Sequence, residues 1–391
     1  MVIVIFGDNF SFPEGDAGTN RVYTYANGFV ENNVNTYVIC FKNNYLINGN
    51  GVLNGIQYFN PLNQSERNSH FFIRNGYKVL KYFNTIKLIK SINKKEKIDA
   101  IITDTQLGLT YLFSYYLAKK HRAKLIFEKS EHPLRLYQSN ALKKIQGLIK
   151  HKIESHLCDG IICISRFLFD FFRNSGVPRQ KLFMIPSTVD PARFKQTEEN
   201  PLRIRYIGYF GGLTFKRDNI DGIIRAFVLI SNKYPDLHLV LGGFCSENER
   251  IKIINMISDL GMSSKIILLK YLPRKEIIKY IINSEILVMV RGKDMESDAS
   301  FPSKLTEYLA TGIPVVTVNV GEISDYLTDG VNSFLVEPEN SHALAEKINY
   351  VLNHYDSALE VASKGKELTS GVFNYRYQAG KIIDLINSIS N

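Results

Sequence analysis

Short runs of apolar, largely β-branched residues recur along the chain and alternate with amphipathic stretches. In the first half they fall at residues 2–6, 36–41, 100–103, 124–128, 160–165 and 181–186. The second half repeats the scheme at 203–208, 237–241, 266–269, 286–290, 315–318 and 334–336. Most runs are continuous rather than alternating, as expected for parallel strands covered on both faces. With helical patterns between them, each half reads as βαβαβ, so the pattern predicts an α/β chain with two doubly wound parallel sheets. Open sheets of this kind take ligands at the carboxyl ends of their strands.

The segment at 196–201, QTEENP, is polar and ends in a proline suited to strand entry, so the boundary is expected there. This gives domains at 1–197 and 198–370, followed by a C-terminal helix over 371–391 that is expected to pack back on the first domain. A chain of 391 residues is long enough for each half to bury its own core.

Charge changes the picture. Residues 1–200 hold 27 Lys and Arg against 16 Asp and Glu, whereas residues 201–391 hold 21 against 22. The first half therefore favours acidic partners. Part of its excess lies in a basic amphipathic stretch at 77–97, where Val79, Phe83, Ile86 and Ile89 can line one face and Lys87, Lys90, Lys94 and Lys97 another. That stretch reads either as the solvated side of a packed helix or as a helix resting on an anionic membrane surface. No helix-turn-helix or basic-aromatic strand motif accompanies the charge, which argues against nucleic acid. Cys40, Cys158, Cys163 and Cys245 lack metal-ligand spacing, so free thiols and no metal site are expected. The opening VIVIF is too short for a signal peptide and no run is long enough to span a bilayer, which points to a cytoplasmic protein, peripheral to the inner membrane face if the basic helix docks there.

The most informative stretch is DASFPSKLTEYLATGIPVVTV at 298–318. It predicts a helix opening at Pro302, stopping at Gly312, and leading into a buried strand. The N–H groups of Phe301, Ser303, Lys304 and Leu305 would point out of the helix start toward an anion. Glu307, one turn further in, could accept hydrogen bonds from sugar hydroxyls. A phosphate cradle beside a hydroxyl reader suits a nucleotide sugar.

Five segments occur in order: GDAGTNR (15–21 within the opening), IPSTVDPARF (185–194), YIGYFGGLTFKRDNIDGIIRAF (206–227), FPSKLTEYLATGIPVV (301–316) and GEISDYLTDGVNSFLVEP (321–338). Together they resemble glycosyltransferase family 4. The resemblance implies the GT-B fold, two Rossmann-like domains facing across a cleft, with the acceptor on the first and the nucleotide sugar on the second. It implies metal-independent, retaining transfer without a cofactor, of the kind used in surface-polysaccharide assembly, to a glycan or lipid-linked acceptor. Glu307 matches the family glutamate that holds the ribose, and Pro302, Ser303, Lys304 and Leu305 the segment that cradles the diphosphate. Lys216 or the adjacent Arg217 matches the cation that stabilises the departing diphosphate, a role that counts most in the transition state. Gly208, Gly211 and Gly212 would let the backbone approach the donor, as Gly15 and Gly18 would in the first domain, with the sugar projecting toward Gly15, Asp16 and Ala17. Arg21 would face either the phosphates or solvent.

Two departures stand out. The first of the family's paired glutamates falls on Ala299, with Glu296 and Asp298 out of register. After the fourth strand, where many members carry a histidine near the reacting sugar, this chain has FEKSEHPLRLY at 127–137, and of Glu128, Glu131 and His132 the latter two are favoured. Alternatives are a GT-B nucleotide-sugar epimerase, for which no carboxylate and histidine set is found in register, and a non-catalytic subunit that binds sugar nucleotides. A nicotinamide dehydrogenase would need GxGxxG after the first strand, and GDNFSFPEGDAG fails that pattern.

Overall fold

The computed structural model describes every residue except 16, 43–48, 63–68, 106–107, 133–140, 196–198 and 390–391. The chain forms two compact units, Met1–Thr188 with Tyr375–Asn391, and Val189–Asn374.

The first unit carries β1 (Val2–Gly7), β2 (Asn35–Cys40), β3 (Gly51–Leu53), β4 (Ile56–Phe59), β5 (Ala100–Asp104), β6 (Lys124–Lys129), β7 (Gly160–Cys163) and β8 (Leu182–Met184). Its helices are α1 (Ala17–Glu31), α2 (Phe71–Lys95), α3 (Gly108–His121), α4 (Ala141–Leu157) and α5 (Arg166–Asn174). The sheet order is β3-β4-β2-β1-β5-β6-β7-β8, parallel except at β3. The β3–β4 hairpin was not expected. It turns on Asn54 and Gly55, whose φ angles of 48° and 81° both lie in the left-handed region that tight hairpin turns need.

Helix α2 only partly follows the face its sequence suggests, for of the expected stripe Ile89 is buried and Ile86 half-buried. Val79 and Phe83 point outward, while Lys81, Thr85, Ile89 and Ile92 face the sheet. The Lys81 stem crosses the Phe41 ring and its ammonium donates to the Phe41 carbonyl, which fixes this rotation. Lys87, Lys90 and Lys94 remain exposed on the helix, and Lys97 lies beyond its end.

The last helix, α15 (Tyr375–Ser388 in the chain's order), lies against α1 and contributes Ala379, Ile382, Leu385 and Ile386 to the core of this unit. Gly28 makes the approach close, since a Cβ there would lie 2.7 Å from the Tyr375 carbonyl.

The second unit has β9 (Arg205–Gly212), β10 (Leu237–Phe244), β11 (Ile266–Leu268), β12 (Ile286–Met289), β13 (Val315–Val318) and β14 (Phe334–Val336). Between and after them run α6 (Phe215–Asp218), α7 (Ile220–Ser231), α8 (Glu247–Asp259), α9 (Arg274–Ile282), α10 (Met295–Ala299), α11 (Ser303–Thr311), α12 (Ile323–Tyr326), α13 (Ser341–Asn353) and α14 (Tyr355–Ser370). The all-parallel order is β11-β10-β9-β12-β13-β14. The units divide at Val189 rather than at 197/198, because Val189 donates to the Phe373 carbonyl (2.9 Å) and Phe194 is buried within the second unit. The return falls at Tyr375 rather than at 371, where α15 begins.

Candidate functional site

In the second sheet the strand order reverses between β9 and β12, the place where doubly wound sheets bind ligands. Strand β9 outruns its neighbour: the β12 pairing ends at Gly208, four residues before β9 does. Beyond it the Tyr308 hydroxyl takes over the freed backbone, accepting from Phe210 N (2.7 Å) and donating to Phe210 O (2.9 Å). This ties α11 to the end of β9.

Helix α11 starts as its sequence suggests, with Pro302 at the N-cap and Gly312 in the left-handed conformation at its end (φ 76°). Proline has no side chain that can cap, so Ser303 and Lys304 present N–H groups without a side-chain acceptor at the first turn. Leu305 differs from expectation, because its N–H is already taken by the Pro302 carbonyl (3.0 Å).

The Lys304 side chain has a role the sequence did not disclose. It folds over Gly211 and donates to Tyr209 Oη (2.6 Å) and Asp218 Oδ1 (3.1 Å). Gly211 leaves the space, since a Cβ there would collide with the ammonium. Gly212 does the same for the carboxylate, 2.7 Å from Asp218 Oδ2. Burial alone would raise the Asp218 carboxyl. Lys304, with hydrogen bonds from Thr214 and Tyr209, outweighs it and holds the group below the ordinary aspartate range. Burial pulls Lys304 below the usual lysine range, with Asp218 opposing and Arg291 and Arg217 adding to the fall.

Arg291, just past β12, is buried and donates to Ser300 Oγ (3.1 Å). Burial, then the charge of Arg217, lowers its pKa. Of the two cations carried by α6, Arg217 therefore acts on both Lys304 and Arg291. Both side chains are exposed, and Lys216 is not among the charges that shift either group.

Glu307 is buried at one side of this cluster and its Oε1 is held by Arg274, the first residue of α9. Ala299 is fully buried, so no carboxylate occupies that position. Gly208 is not an approach point for a ligand: the space beside it is filled by Ser284 and the Phe210 ring.

In the first unit the matching reversal lies between β1 and β5. Arg21 is neither exposed nor free to reach out. It is buried against Glu128, donates to the Ile185 carbonyl (3.2 Å) and lies over the Tyr25 ring. Burial raises the Glu128 carboxyl despite Arg21, and raises that of Asp104 well above its usual range, with Glu128 adding to the rise. His132 is buried against the Phe167 and Phe171 rings (5.5 and 5.3 Å), and burial lowers its pKa, so the imidazole is neutral at pH 7. Glu131 is half-buried beside it. Gly15 and Ala17 are exposed at the start of α1, and Asp16 lies outside the described residues. The structure thus gathers Ser303, Lys304, Glu307, Gly211 and Arg217 in one unit, and Arg21 with Glu128 in the other.

Comparison with known proteins gives the family and the fold. The family model of glycosyl transferases group 1 matches residues 192–368, and that of glycosyltransferase family 4 matches 18–193. The two leave only the ends of the chain unmatched. The chain belongs to the family-4 glycosyltransferases. Its GT-B fold is shared with sucrose-phosphate synthase from Thermosynechococcus elongatus (15% identity, 99% of this chain and 98% of that one, TM-score 0.73). It is shared equally with Anabaena HepE, solved in complex with UDP and glucose (16% identity, 99% of both chains, TM-score 0.73). Among curated relatives, the D-inositol 3-phosphate glycosyltransferase of Corynebacterium urealyticum is 24% identical over 48% of this chain but only 44% of its own length. The capsular polysaccharide biosynthesis glycosyltransferase CapM of Staphylococcus aureus is 22% identical over 63% of this chain and 68% of its own.

In this glycosyltransferase the residues that sequence reasoning missed are Tyr209, Asp218, Arg274 and Arg291. Arg291 had a visible signal, a lone cation ending the apolar run ILVMVR. Asp218 and Tyr209 had none, since their partner Lys304 is more than 80 residues away in sequence. Among the described residues, no group of three His, Cys, Asp or Glu side chains could hold a metal ion.

Proposed function

We propose that this glycosyltransferase binds a nucleoside-diphosphate sugar in its second unit and transfers the sugar, with retention at the anomeric carbon, to a hydroxyl of a lipid-linked or growing surface glycan. The observation that carries the reading is a surplus of cations at the start of α11. Arg291 is buried and Lys304 half-buried, the exposed Arg217 depresses both, and the acids that oppose them are Asp218, paired with Lys304, and Asp294. Like charges gathered in a low-dielectric site are unfavourable until an anion joins them. A diphosphate on the N–H groups of Ser303 and Lys304 would balance the set without a metal ion.

Glu307 would read the ribose with Oε2, its Oε1 being held by Arg274. As the bond from C1 to the diphosphate breaks, a bond to the acceptor oxygen forms on the same face and the acceptor proton passes to the departing phosphate. The cations stabilise charge on the leaving oxygen, which lowers the barrier more than a strong base would. Of the residues after β9 we assign this role to Arg217, with Lys216 in support. Glu131 and His132 are the groups proposed to meet the acceptor in the first unit, with the exposed Gly15 and Ala17 beside it. The complex of HepE with UDP and glucose makes uridine donors the first to test, and likeness to the capsular polysaccharide biosynthesis glycosyltransferase CapM supports a surface glycan acceptor.

The test is a donor screen on chelator-treated protein with membrane extract as acceptor, read by mass spectrometry. Transfer without divalent metal is expected. Strict metal dependence, or no product from any activated sugar, would overturn the reading.

A further inference from the structure

Helices α2, α3 and α4 cover the same side of the first sheet, each following a strand of that sheet and preceding the next, with α3 touching both neighbours. The Tyr82 and Phe113 rings, 4.7 Å apart, join α2 to α3. All three helices turn apolar side chains outward. On α4, Leu142, Ile145, Ile149 and Ile153 recur at helical spacing, with Leu142 74% and Ile149 56% exposed. On α3, Leu109, Leu112 and Tyr116 do the same, Leu109 being 74% exposed. On α2 they are Val79, Leu80 and Phe83. Isolated surface leucines are ordinary, but three adjacent helices with apolar stripes form a patch that calls for a partner.

Charge identifies the partner. Helix α2 carries seven Lys and Arg and no acid, α3 two Lys and no acid, and α4 four Lys and one acid. That one acid, Glu154, is buried beside Lys129. Among the described side chains, the three helices therefore expose apolar groups together with Lys87, Lys90, Lys94, Lys119, Lys120 and Lys152, and no carboxylate within them is exposed. A protein partner of mixed charge would leave those cations unmatched, and nucleic acid would leave the leucines and isoleucines uncovered. An anionic bilayer satisfies both, with apolar stripes lying at the acyl boundary and lysines among the head groups.

We infer that the outward face of α2, α3 and α4 docks on an anionic membrane surface, with α4 lying in the interface plane. This deepens the membrane-borne acceptor proposed above and rests on that reading for its purpose, while its evidence is the three helices alone.

The experiment is flotation of the full chain with vesicles of phosphatidylcholine alone or mixed with phosphatidylglycerol. The wild-type protein should float with the mixed vesicles and about tenfold less with the neutral ones, the difference shrinking as salt rises. Ile145→Glu with Ile149→Glu should cut flotation about tenfold while leaving donor hydrolysis in solution unchanged. Lys87→Gln, Lys90→Gln and Lys94→Gln together should flatten the salt dependence. Leu112→Glu on the neighbouring helix should repeat the first loss, which guards against a fold defect in α4. Equal flotation with neutral vesicles, an Ile145→Glu and Ile149→Glu variant that floats like wild type, or a dimer that buries Ile149 in solution would overturn the inference. Loss of transfer with intact flotation would count against the donor reading alone.

Discussion

Lys304 meets Asp218 because residue 211 has no side chain. Gly211→Ala places a methyl group where the ammonium sits, so it should weaken donor use about tenfold, as the lost contact is a charge-assisted one. Steady-state kinetics with the donor identified in the screen would register it as a fall in kcat/KM. Lys304→Met leaves Asp218 buried without its cation and should destabilise the fold by about 3 kcal/mol in urea unfolding at neutral pH. Asp218 also sets a pH dependence. Its folded pKa lies below its unfolded one, so its contribution is present above the unfolded value, fades as pH falls through that value, and is gone below the folded one. Asp218→Asn should therefore flatten the loss of stability between about pH 5 and pH 3, measured by thermal melts. At this scale the sequence was legible where function rests on backbone, as at Pro302 and Gly312. It was illegible where a side chain depends on a partner far along the chain, as with Lys304 on Gly211 or Arg21 on Glu128.

The elements were easier to read than their faces. Continuous β-branched runs marked twelve strands because burial on both sides leaves no polar alternation to confuse with a helix. The ends of β9 and β10 went further than the runs at 203–208 and 237–241, since their glycines let the two backbones stay paired to Gly212 and Phe244. The β3–β4 hairpin was missed although Asn54-Gly55 is a strong turn signal, because each strand is only three or four residues long. Gly55→Ala forces a side chain into a left-handed position and against Val30, and should cost about 1 kcal/mol in chemical unfolding without changing transfer. On α2 the apolar stripe chosen from periodicity splits, with Ile89 inward and Val79 and Phe83 outward. The inward face is set by Lys81, whose long stem is apolar enough to pack on Phe41 while its tip finds a carbonyl.

For the molecule as a whole, the alternation of strand and helix disclosed two doubly wound units, but the exact exchange of chain between them depended on tertiary contacts. Helix α15 completes the core of the first unit from the far end of the sequence, and Ile382 there is fully buried. Ile382→Ala should lower stability by about 3 kcal/mol, read as a shifted denaturation midpoint of the full chain. The uneven charge of the two halves has a structural counterpart in α2, α3 and α4, and the near-neutral second half brings Arg217, Arg291 and Lys304 together near the start of α11. Composition alone could report the first imbalance. The second needed a fold, because Arg217, Arg291 and Lys304 are spread over 88 residues of sequence.

Calorimetric titration of the full chain with UDP in the presence of chelator, repeated with Lys304→Met and Arg291→Met, tests the cation surplus most directly. Binding by the wild type that falls about tenfold in each variant is predicted, each having lost a charge-assisted contact. Binding that both variants retain unchanged, or no heat with UDP or any other nucleoside diphosphate, would contradict the account.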